Sequence, residues 1–548
     1  MPHDDDRPTP ALDRRTLLRH LGVGVVTVGT GVLAPPALHA KPAGRKRTPA
    51  LMRENRVRRA YAYRRRMARD AARRPVFRNR PNGDEDAVPH RAACYTKALP
   101  HDALGHVVPE AYDALAAACR SGRSADFDRV PLGLGRRLTS AQAGLAFDLE
   151  GCDSHHTALP APPAFSSAEI AAEMVELYWM AHCRDVPFTA WETDPRCAAA
   201  AAELSALPAY RGVRAGGAVT PAVLFRGGEP GATVGPYVSQ FLWRDVPWGA
   251  QLLSQRSSTG AAGVDWMTRW DEWLAVQNGR DPRGTDALDL TYRWISNLRG
   301  LARWVQIDAL YQAYLNAALI LLGLGAPFAP GIPSVGSRTC EGFVDWGAPH
   351  LLALVCEVSS RALKAVWYHK WLVHRRLRPE EFGGRVHAHL TGRFTYPIHE
   401  SVLGSAAVAA AYARHGTFLL PMAYPEGSPT HPSYGSGHAT VAGACTTILK
   451  AWFDEDWVLP KPVAADADGT ALVPYEGPPL TVGGELNKLA ANVAIGRNAA
   501  GVHWRSDYRE SLRLGEYVAK CILEEQKPSY NQAPELRFTS FDGEPVTL

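Results

Sequence analysis

The sequence predicts an all-α fold, and three observations support this prediction. Apolar residues recur at helical spacing along most of the chain. The alternation of apolar and polar residues that is typical of strands is scarce, except around residues 216–225. Pro/Gly-rich segments at residues 158–165, 214–236, 326–337 and 459–482 resemble long loops between helical runs rather than domain linkers.

The composition excludes several functional classes. An apolar fraction of 46% and a charged fraction of 21% are those of an ordinary soluble globular protein. The net charge of +5 is small for 548 residues and argues against a nucleic-acid partner. The nine cysteines are scattered without a C-x-x-C pair, so zinc ribbons and thioredoxin-like chemistry are not expected. Their spacing assigns no disulfide pattern.

The first forty residues indicate an export signal rather than part of the fold. Residues 13–19 (DRRTLLR) have the twin-arginine pattern, residues 21–33 form a short apolar core, and residues 37–40 offer a small-residue cleavage site. The apolar core falls short of the roughly twenty residues that span a bilayer. We therefore expect residues 1–40 to be removed after export by the twin-arginine route. The mature chain would be periplasmic or extracellular, with no integral membrane segment.

The remainder of the chain is expected to contain a basic N-terminal segment, residues 41–83, and one helical domain, residues 84–548. The basic run is typical of a solvated helix face. Residues 166–182 begin at a capping serine, Ser166, and keep Ile170, Met174, Leu177 and Ala181 on one face, as an amphipathic helix does. Similar runs occupy residues 290–324, 347–371, 400–415, 436–454 and 484–523.

A helix start near Ser436 has the properties of an anion site. The turn-forming residues 432–435 run directly into an apolar segment, so Ser436 is placed about where a helix begins. The start of a helix offers unpaired N–H groups and the positive end of its dipole. Gly435 and Gly437 allow close approach, Ser436 adds a hydroxyl, and His438 adds a titratable ring. The simpler interpretation is a helix cap beside a surface histidine.

Two further blocks, residues 370–379 (KWLVHRRLRP) and 496–507 (GRNAAGVHWRSD), contribute cations and a histidine. Eight residues on an ideal helix leave the side chains of Lys370 and Arg378 about 80° apart. Pro379 also disfavours the α conformation at Arg378. We therefore expect Lys370 to end a helix and Arg378 to lie in the loop that follows it.

The three blocks, in this order and at these spacings, resemble the active-site pattern of the vanadium-dependent haloperoxidases, which type 2 phosphatidic acid phosphatases share. The longer Lys–Arg separation is similar to that of the brominating seaweed enzymes and their bacterial relatives. The resemblance extends from about residue 80 to residue 523. It implies helical bundles of the haloperoxidase/acid phosphatase type around one oxyanion site, with vanadate as the cofactor.

The resemblance also implies a role for each residue of the site. The cofactor-binding positions are Lys370, Arg378, Ser436, Gly437, Arg497 and His503. His503 is expected to be the ligand to vanadium, with Asp507 holding its other ring nitrogen. His438 is expected to be the general acid–base, and Lys370 to polarise bound peroxide.

The function that follows is oxidation of halide by hydrogen peroxide to hypohalous acid, which halogenates a small organic acceptor. The family resemblance further implies a homodimer or a larger homo-oligomer. One alternative is a soluble acid phosphatase in which His503 is the phosphoryl-accepting nucleophile and His438 protonates the leaving group. Another is a catalytically silent helical assembly protein. The Lys–Arg spacing and the intact pattern favour the haloperoxidase.

Two positions that vary in this family bear on the choice of halide. His431, seven residues before His438, resembles brominating members, whereas Trp367, three residues before Lys370, resembles chlorinating ones. Chloride is harder to oxidise and needs a drier pocket. Because the ring of His431 is polar, we expect oxidation of bromide and iodide, with weak chloride activity that is favoured at acid pH.

Overall fold

Helices dominate the part of the chain that the computed structural model describes, residues 54–548. This confirms the all-α prediction. The longer helices are α1 (Glu54–Arg73), α2 (Pro109–Ser121), α3 (Ala168–Cys183), α4 (Pro195–Ala206), α5 (Trp270–Gln277), α6 (Leu298–Ile307), α7 (Gln312–Gly323), α8 (Ala348–Tyr368), α9 (Pro379–Leu390), α10 (Ala406–His415), α11 (Gly437–Trp452), α12 (Val482–Ala499) and α13 (Arg505–Gln526).

Short helical turns connect several of these helices. Single α-turns lie at Asp84–Ala87, Ser124–Phe127 and Glu400–Leu403. Turns of 3₁₀ helix lie at Pro89–Arg91, Ala143–Leu145, Ser154–His156, Phe188–Ala190, Gln240–Leu242 and Lys527–Ser529. A π-helical turn, His369–His374, continues directly from α8.

Strands within residues 54–548 are short and pair only as two-stranded antiparallel ribbons. The pairs are β1 (Val246–Trp248) with β2 (Gln251–Leu253), β3 (Ser257–Gly260) with β4 (Leu288–Arg293), β5 (Val463–Ala465) with β6 (Leu472–Pro474), and β7 (Arg537–Thr539) with β8 (Pro545–Thr547). The alternating residues 216–225 do not form a strand. Gly216 and Gly217 take positive φ and turn the chain, which leaves only an isolated bridge between Ala215 and Ala218.

The predicted export signal, residues 1–40, and residues 41–53 of the basic segment lie outside the described residues. Within the described part of the basic segment, α1 exposes most of its side chains, as a solvated helix face does. Residues Arg66–Leu548 form one compact unit, and the described residues before Arg66 belong to a second unit. The boundary between residues 83 and 84 stays a prediction.

The core of the larger unit is a bundle in which α11 packs against α8, α12 and α13. Apart from His438, every residue of α11 is buried. Two glycines allow α11 and α13 to pack closely. A Cβ added at Gly443 would lie 2.1 Å from the carbonyl oxygen of Leu512, and one added at Gly515 would lie 2.0 Å from that of Thr440. The first turn of α11 is therefore held rigidly at one end of the bundle.

Two helical runs predicted from the sequence are interrupted in the structure. The run at 484–523 divides into α12 and α13, with Gly501 in a positive-φ conformation between them. The run at 290–324 divides into β4, α6 and α7. No single described helix is long and apolar enough to span a membrane, and α6 and α7 meet that test only as a pair bent by 101°.

The helix predicted at residues 166–182 is present, but it differs from the prediction in two respects. The helix begins one residue later than expected, with Ser167 as its N-cap. Every residue from Ile170 to Cys183 is buried, so α3 has no solvent-facing stripe. The reason is that α3 is surrounded by α4, α10 and α12. Glu173, Glu176 and His182 are consequently buried as well.

Candidate active site

Lys370 lies in the π-helical turn that follows α8, just beyond the last α-helical residue. Lys370 therefore lies near the end of α8, as expected, but the chain continues beyond it to His374 as a π-helical turn. The ammonium group is fully buried and donates to the carbonyl oxygens of Pro432, at 2.8 Å, and Ser433, at 2.9 Å. Burial lowers its pKa well below the usual range, and Arg378 lowers it further.

Arg378 is the N-cap residue of α9, with Pro379 in the first helical position, so it lies in the loop as expected. Its backbone N–H donates to a carboxylate oxygen of Glu381 at 2.7 Å. The buried guanidinium donates to the backbone oxygen of His431 at 2.8 Å and lies 2.9 Å from Nε2 of His503. Burial lowers the pKa of Arg378 to about 10.

His503 lies just before α13, and its two ring nitrogens have different partners. Nδ1 lies 2.7 Å from a carboxylate oxygen of Asp507, in the first turn of α13. The expected contact is present, but it forms because Asp507 folds back over the start of the helix rather than along one helical face. Burial, Arg378 and Lys370 lower the pKa of His503 well below its usual value. With Nδ1–H donated to Asp507, Nε2 keeps its lone pair, as a metal ligand requires.

The start of α11 faces this group of residues. Ser436 is the N-cap, as predicted, and its Oγ accepts from the N–H of Ala439 at 3.3 Å. The N–H of Ser436 donates to Oγ of Ser511 at 2.8 Å. A Cβ added at Gly437 would lie 3.1 Å from the ring of Trp367. The absence of a side chain at Gly437 therefore allows Trp367 to pack closely against the first turn of the helix.

His438 pairs with an acid that the sequence did not reveal. Its Nε2 lies 3.0 Å from a carboxylate oxygen of Asp308, the residue that ends α6. The side chain of His438 is 17% exposed, whereas that of Asp308 is 3% exposed. Burial lowers the pKa of His438, and the Asp308 carboxylate opposes that shift. Asp308 was missed because it is distant in sequence and belongs to no local pattern.

Arg497, near the end of α12, donates to the backbone oxygen of Val305 at 2.8 Å. Its Nε is buried and without a hydrogen-bond partner. The preceding residue, Gly496, packs against α6, and a Cβ added there would lie 3.1 Å from the side chains of Leu301 and Val305. This close packing fixes the position of Arg497 relative to α6.

His431 and Trp367 are adjacent at the edge of this group. Their ring centroids lie 4.7 Å apart. Nδ1 of His431 lies 2.9 Å from Nη2 of Arg378, and Nε1 of Trp367 donates to the carbonyl oxygen of Thr139 at 3.2 Å. Burial, Lys370 and Arg378 lower the pKa of His431 well below its usual value. The ring is therefore neutral and directed towards the cations by a fixed contact.

A second ring of polar residues holds Asp507 in place. Nη1 of Arg376 donates to Asp507 at 2.9 Å and to Oγ of Ser506 at 2.8 Å. Ser506 donates through its N–H and its hydroxyl to the carboxylate of Glu173, at 2.8 and 3.0 Å. Burial raises the pKa of Glu173 to about 7. Glu173 was not predicted as part of the site because its helix, α3, is distant along the chain.

The buried cations Lys370, Arg378 and Arg497, called here the oxyanion cluster, outnumber the acids that face them. The pKa of Lys370 is lowered by burial and by both arginines, whereas Asp507 is the acid that opposes this. Asp507 already binds His503 and Arg376. Buried charge without a partner is costly, so such a group suits a multiply charged anion. Ammonium and guanidinium donors, a helix start and an imidazole nitrogen that keeps its lone pair together fit a tetrahedral oxyanion such as vanadate.

Comparison with known proteins agrees with this donor set. The family model described as the VCPO second helical-bundle domain matches residues 400–532. The chain is 38% identical to the vanadium-dependent bromoperoxidase of Corallina pilulifera over 86% of this chain and 93% of that protein. It is 37% identical to that of Ascophyllum nodosum over 85% of this chain and 87% of that protein.

A solved structure extends the similarity to the whole fold. The homohexameric second vanadate-dependent bromoperoxidase of Ascophyllum nodosum superposes with a TM-score of 0.86 at 30% sequence identity. The alignment covers 94% of each chain. The fold, the relatives and the oxyanion cluster lead to one assignment. The chain belongs to the vanadium-dependent bromoperoxidases, within the haloperoxidase superfamily, and its cofactor is vanadate.

Proposed function

We propose that this enzyme uses hydrogen peroxide to oxidise bromide and iodide to the hypohalous acid, which then halogenates small organic acceptors. The observation that carries the proposal is the oxyanion cluster, three buried cations beside a histidine whose Nε2 keeps its lone pair. A phosphatase could use the same donors. The curated relatives at 37–38% identity are bromoperoxidases, which favours peroxide chemistry.

We assign the cofactor contacts as follows. Lys370, Arg378 and Arg497 would hold the vanadate oxygens through charge-assisted hydrogen bonds, together with the Ser436 hydroxyl and the Gly437 N–H. Nε2 of His503 would be the ligand to vanadium, and Asp507 fixes the ring orientation through Nδ1. Bound vanadate supplies a Lewis-acid centre that activates hydrogen peroxide without changing its own oxidation state.

His438 handles the protons of the reaction. With Nε2–H donated to Asp308, the neutral ring presents Nδ1 as the atom that accepts a proton from hydrogen peroxide. The carboxylate then stabilises the imidazolium until the proton is returned. The O–O bond breaks, the halide loses two electrons and gains one oxygen as hypohalite, and the other oxygen leaves as water with the returned proton. A further proton from solvent converts the hypohalite to hypohalous acid. Lys370, within reach of the same centre, polarises the peroxide.

The proposal extends to assembly and location. The Ascophyllum nodosum relative is a homohexamer, and this supports a homo-oligomer for this chain. The twin-arginine pattern in residues 13–19 supports export to the periplasm or beyond. Light scattering of the purified protein tests whether it is a homo-oligomer. Export is tested by fractionating cells that express the protein with either its natural leader or a leader in which Arg14 and Arg15 are both changed to Lys.

Reconstitution tests the activity itself. Apoprotein should oxidise no bromide, vanadate should restore bromide-dependent consumption of peroxide, and phosphate should compete with vanadate for the same site. Substitution of Lys370 by Met should weaken the binding of vanadate and of phosphate together. If phosphate failed to compete, the oxyanion cluster would not be the cofactor site. Hydrolysis of a phosphomonoester without any bromide oxidation would instead support the phosphatase.

A further inference from the structure

A short 3₁₀ turn, Ser154–His156, brings three potential metal ligands together outside the active site. Asp153, His155 and His156 each offer one ligand atom, and these atoms all lie within 4.8 Å of one another. Asp153 and His155 are half-buried, and His156 is 4% exposed. The haloperoxidase reaction described above uses none of these side chains.

The hydrogen bonding of the turn leaves part of this group unsatisfied. Nδ1 of His156 and Oγ of Ser154 are buried and have no hydrogen-bond partner. A buried imidazole nitrogen without a partner is costly unless something else satisfies it. Asp153 accepts a hydrogen bond from the N–H of Asp148 at 2.6 Å through one carboxylate oxygen. Its other oxygen remains available to a cation.

The turn is also rigid, which lowers the entropic cost of binding. The N–H of His156 donates to the carbonyl oxygen of Asp153 at 2.9 Å. Oγ of Thr157 donates to the carbonyl oxygen of Ser154 at 2.5 Å. The ligand atoms are therefore brought together by the backbone fold of the turn itself.

We propose that Asp153, His155 and His156 bind a divalent transition-metal ion, and that Zn²⁺ is the ion best suited to them. Two imidazole nitrogens and one carboxylate are ligands that Zn²⁺ commonly takes, whereas Ca²⁺ and Mg²⁺ select oxygen ligands. Three protein ligands leave one position of a tetrahedral ion for water. The site is distinct from the vanadate site and has a different donor set.

The proposed metal site lies close to the segment that carries Lys370, so a bound ion would affect the structure of the active site. The turn packs against α8. Oγ of Thr157, directly after the turn, lies 2.9 Å from Nε2 of His369, the residue before Lys370. A metal ion that clamps the turn would support the π-helical segment carrying Lys370, without contacting the oxyanion.

Metal binding to the full-length, vanadate-loaded protein tests the proposal. After treatment with a chelator, wild-type protein should bind about one equivalent of Zn²⁺ in a calorimetric titration. Asp153→Asn, His155→Gln and His156→Gln should each weaken binding by about 100-fold or more. Co²⁺ in place of Zn²⁺ should give the visible absorption of a site with nitrogen and oxygen ligands. His155 is half-buried, so His155→Gln tests the site with little risk to folding.

Two controls separate this site from other sources of binding. His90→Gln alters an exposed histidine outside the cluster and should bind Zn²⁺ like the wild type. Cys521→Ser alters a buried thiol whose sulfur contacts that of Cys152, next to Asp153, and should also bind normally. Failure of wild-type protein to bind Zn²⁺ would overturn the proposal. Loss of binding in Cys521→Ser but not in His155→Gln would assign the ion to the thiols instead. Neither result would affect the haloperoxidase function, because the measurement does not depend on bromide oxidation.

Discussion

Two groups of buried charges in this protein differ in how completely they are balanced. In the first, called here the paired cluster, Arg184 and Arg299 contact the carboxylates of Asp185 and Asp265. Nη1 of Arg184 lies 2.5 Å from Asp265, and Nη2 of Arg299 lies 2.8 Å from Asp185. Although burial acts to raise the pKa of Asp185, the hydrogen bonds from Arg299 lower it overall.

The oxyanion cluster is organised in the opposite way. Backbone carbonyls, rather than carboxylates, accept most of its hydrogen bonds, as at Lys370 and Arg378. The pKa of Lys370 falls well below its usual value because burial and the neighbouring Arg378 and Arg497 outweigh the effect of Asp507. Balanced buried charges serve the fold, whereas an excess of one sign indicates a site for a ligand of the other sign. The following predictions test this difference.

The largest effect is expected from His503→Ala, which removes the proposed ligand to vanadium. The variant should lose its vanadium on gel filtration and show no bromide oxidation. Metal analysis of the desalted protein measures the first effect directly. A variant that kept vanadium at the wild-type level would show that another residue binds it.

His438→Ala should retain vanadium but lose about 10²–10⁴-fold in turnover, the range for a general acid–base group. Asp308→Asn should cause a smaller loss. Because Asp308 raises the pKa of His438, its removal lowers that pKa and moves the acid limb of the rate profile to lower pH. The pH dependence of bromide oxidation measures the shift. Equal loss of vanadium in His438→Ala and His503→Ala would overturn the division of roles.

In the paired cluster, Asp265→Asn should destabilise the protein by about 3–5 kcal/mol, because two buried guanidinium groups lose a partner. Vanadium content per folded molecule should not change. Urea unfolding of the apoprotein measures the stability. Reduced vanadate affinity with unchanged stability would show that the paired cluster also serves the site.

In the oxyanion cluster, Lys370→Met should have the opposite effects to Asp265→Asn: a more stable apoprotein and weaker vanadate binding. A lysine whose pKa is lowered on folding costs stability below its unfolded pKa, so its removal should stabilise the apoprotein at neutral pH. Vanadate should raise the melting temperature of the wild type but not that of the variant. Thermal melts with and without vanadate measure both effects. A less stable apoprotein variant would contradict the charge imbalance.

The smallest effect is expected from His431→Phe, which replaces a polar ring beside Arg378 by an apolar one of similar size. The chloride-to-bromide activity ratio should rise several-fold, about 1 kcal/mol in relative barrier. Parallel assays with the two halides at one pH measure it. An unchanged ratio, with chloride oxidised well by the wild type at neutral pH, would assign the preference to Trp367.

Local patterns in the sequence were enough to predict part of this site. Ser436 as an N-cap, Arg378 in a loop before Pro379 and the contact of His503 with Asp507 each depend on neighbouring residues, and all are present. Asp308 and Glu173 were not predicted because they reach the site through tertiary packing of α6 and α3. The break between α12 and α13 was also missed, since residues 484–523 are apolar enough to read as one helix.

The carbonyl contacts of the three cations have a consequence for the kinetics of cofactor exchange. Free Lys and Arg side chains carry about 2 kcal/mol of rotamer entropy each. Here Lys370 is already tethered to residues 432 and 433, Arg378 to residues 431 and 502, and Arg497 to residue 305. Most of their ordering is completed during folding, so an arriving oxyanion meets side chains that are already held in place. It must still displace the contact between Arg378 and Nε2 of His503. Changes in the backbone of residues 431–433 would therefore alter vanadate affinity without altering any charge.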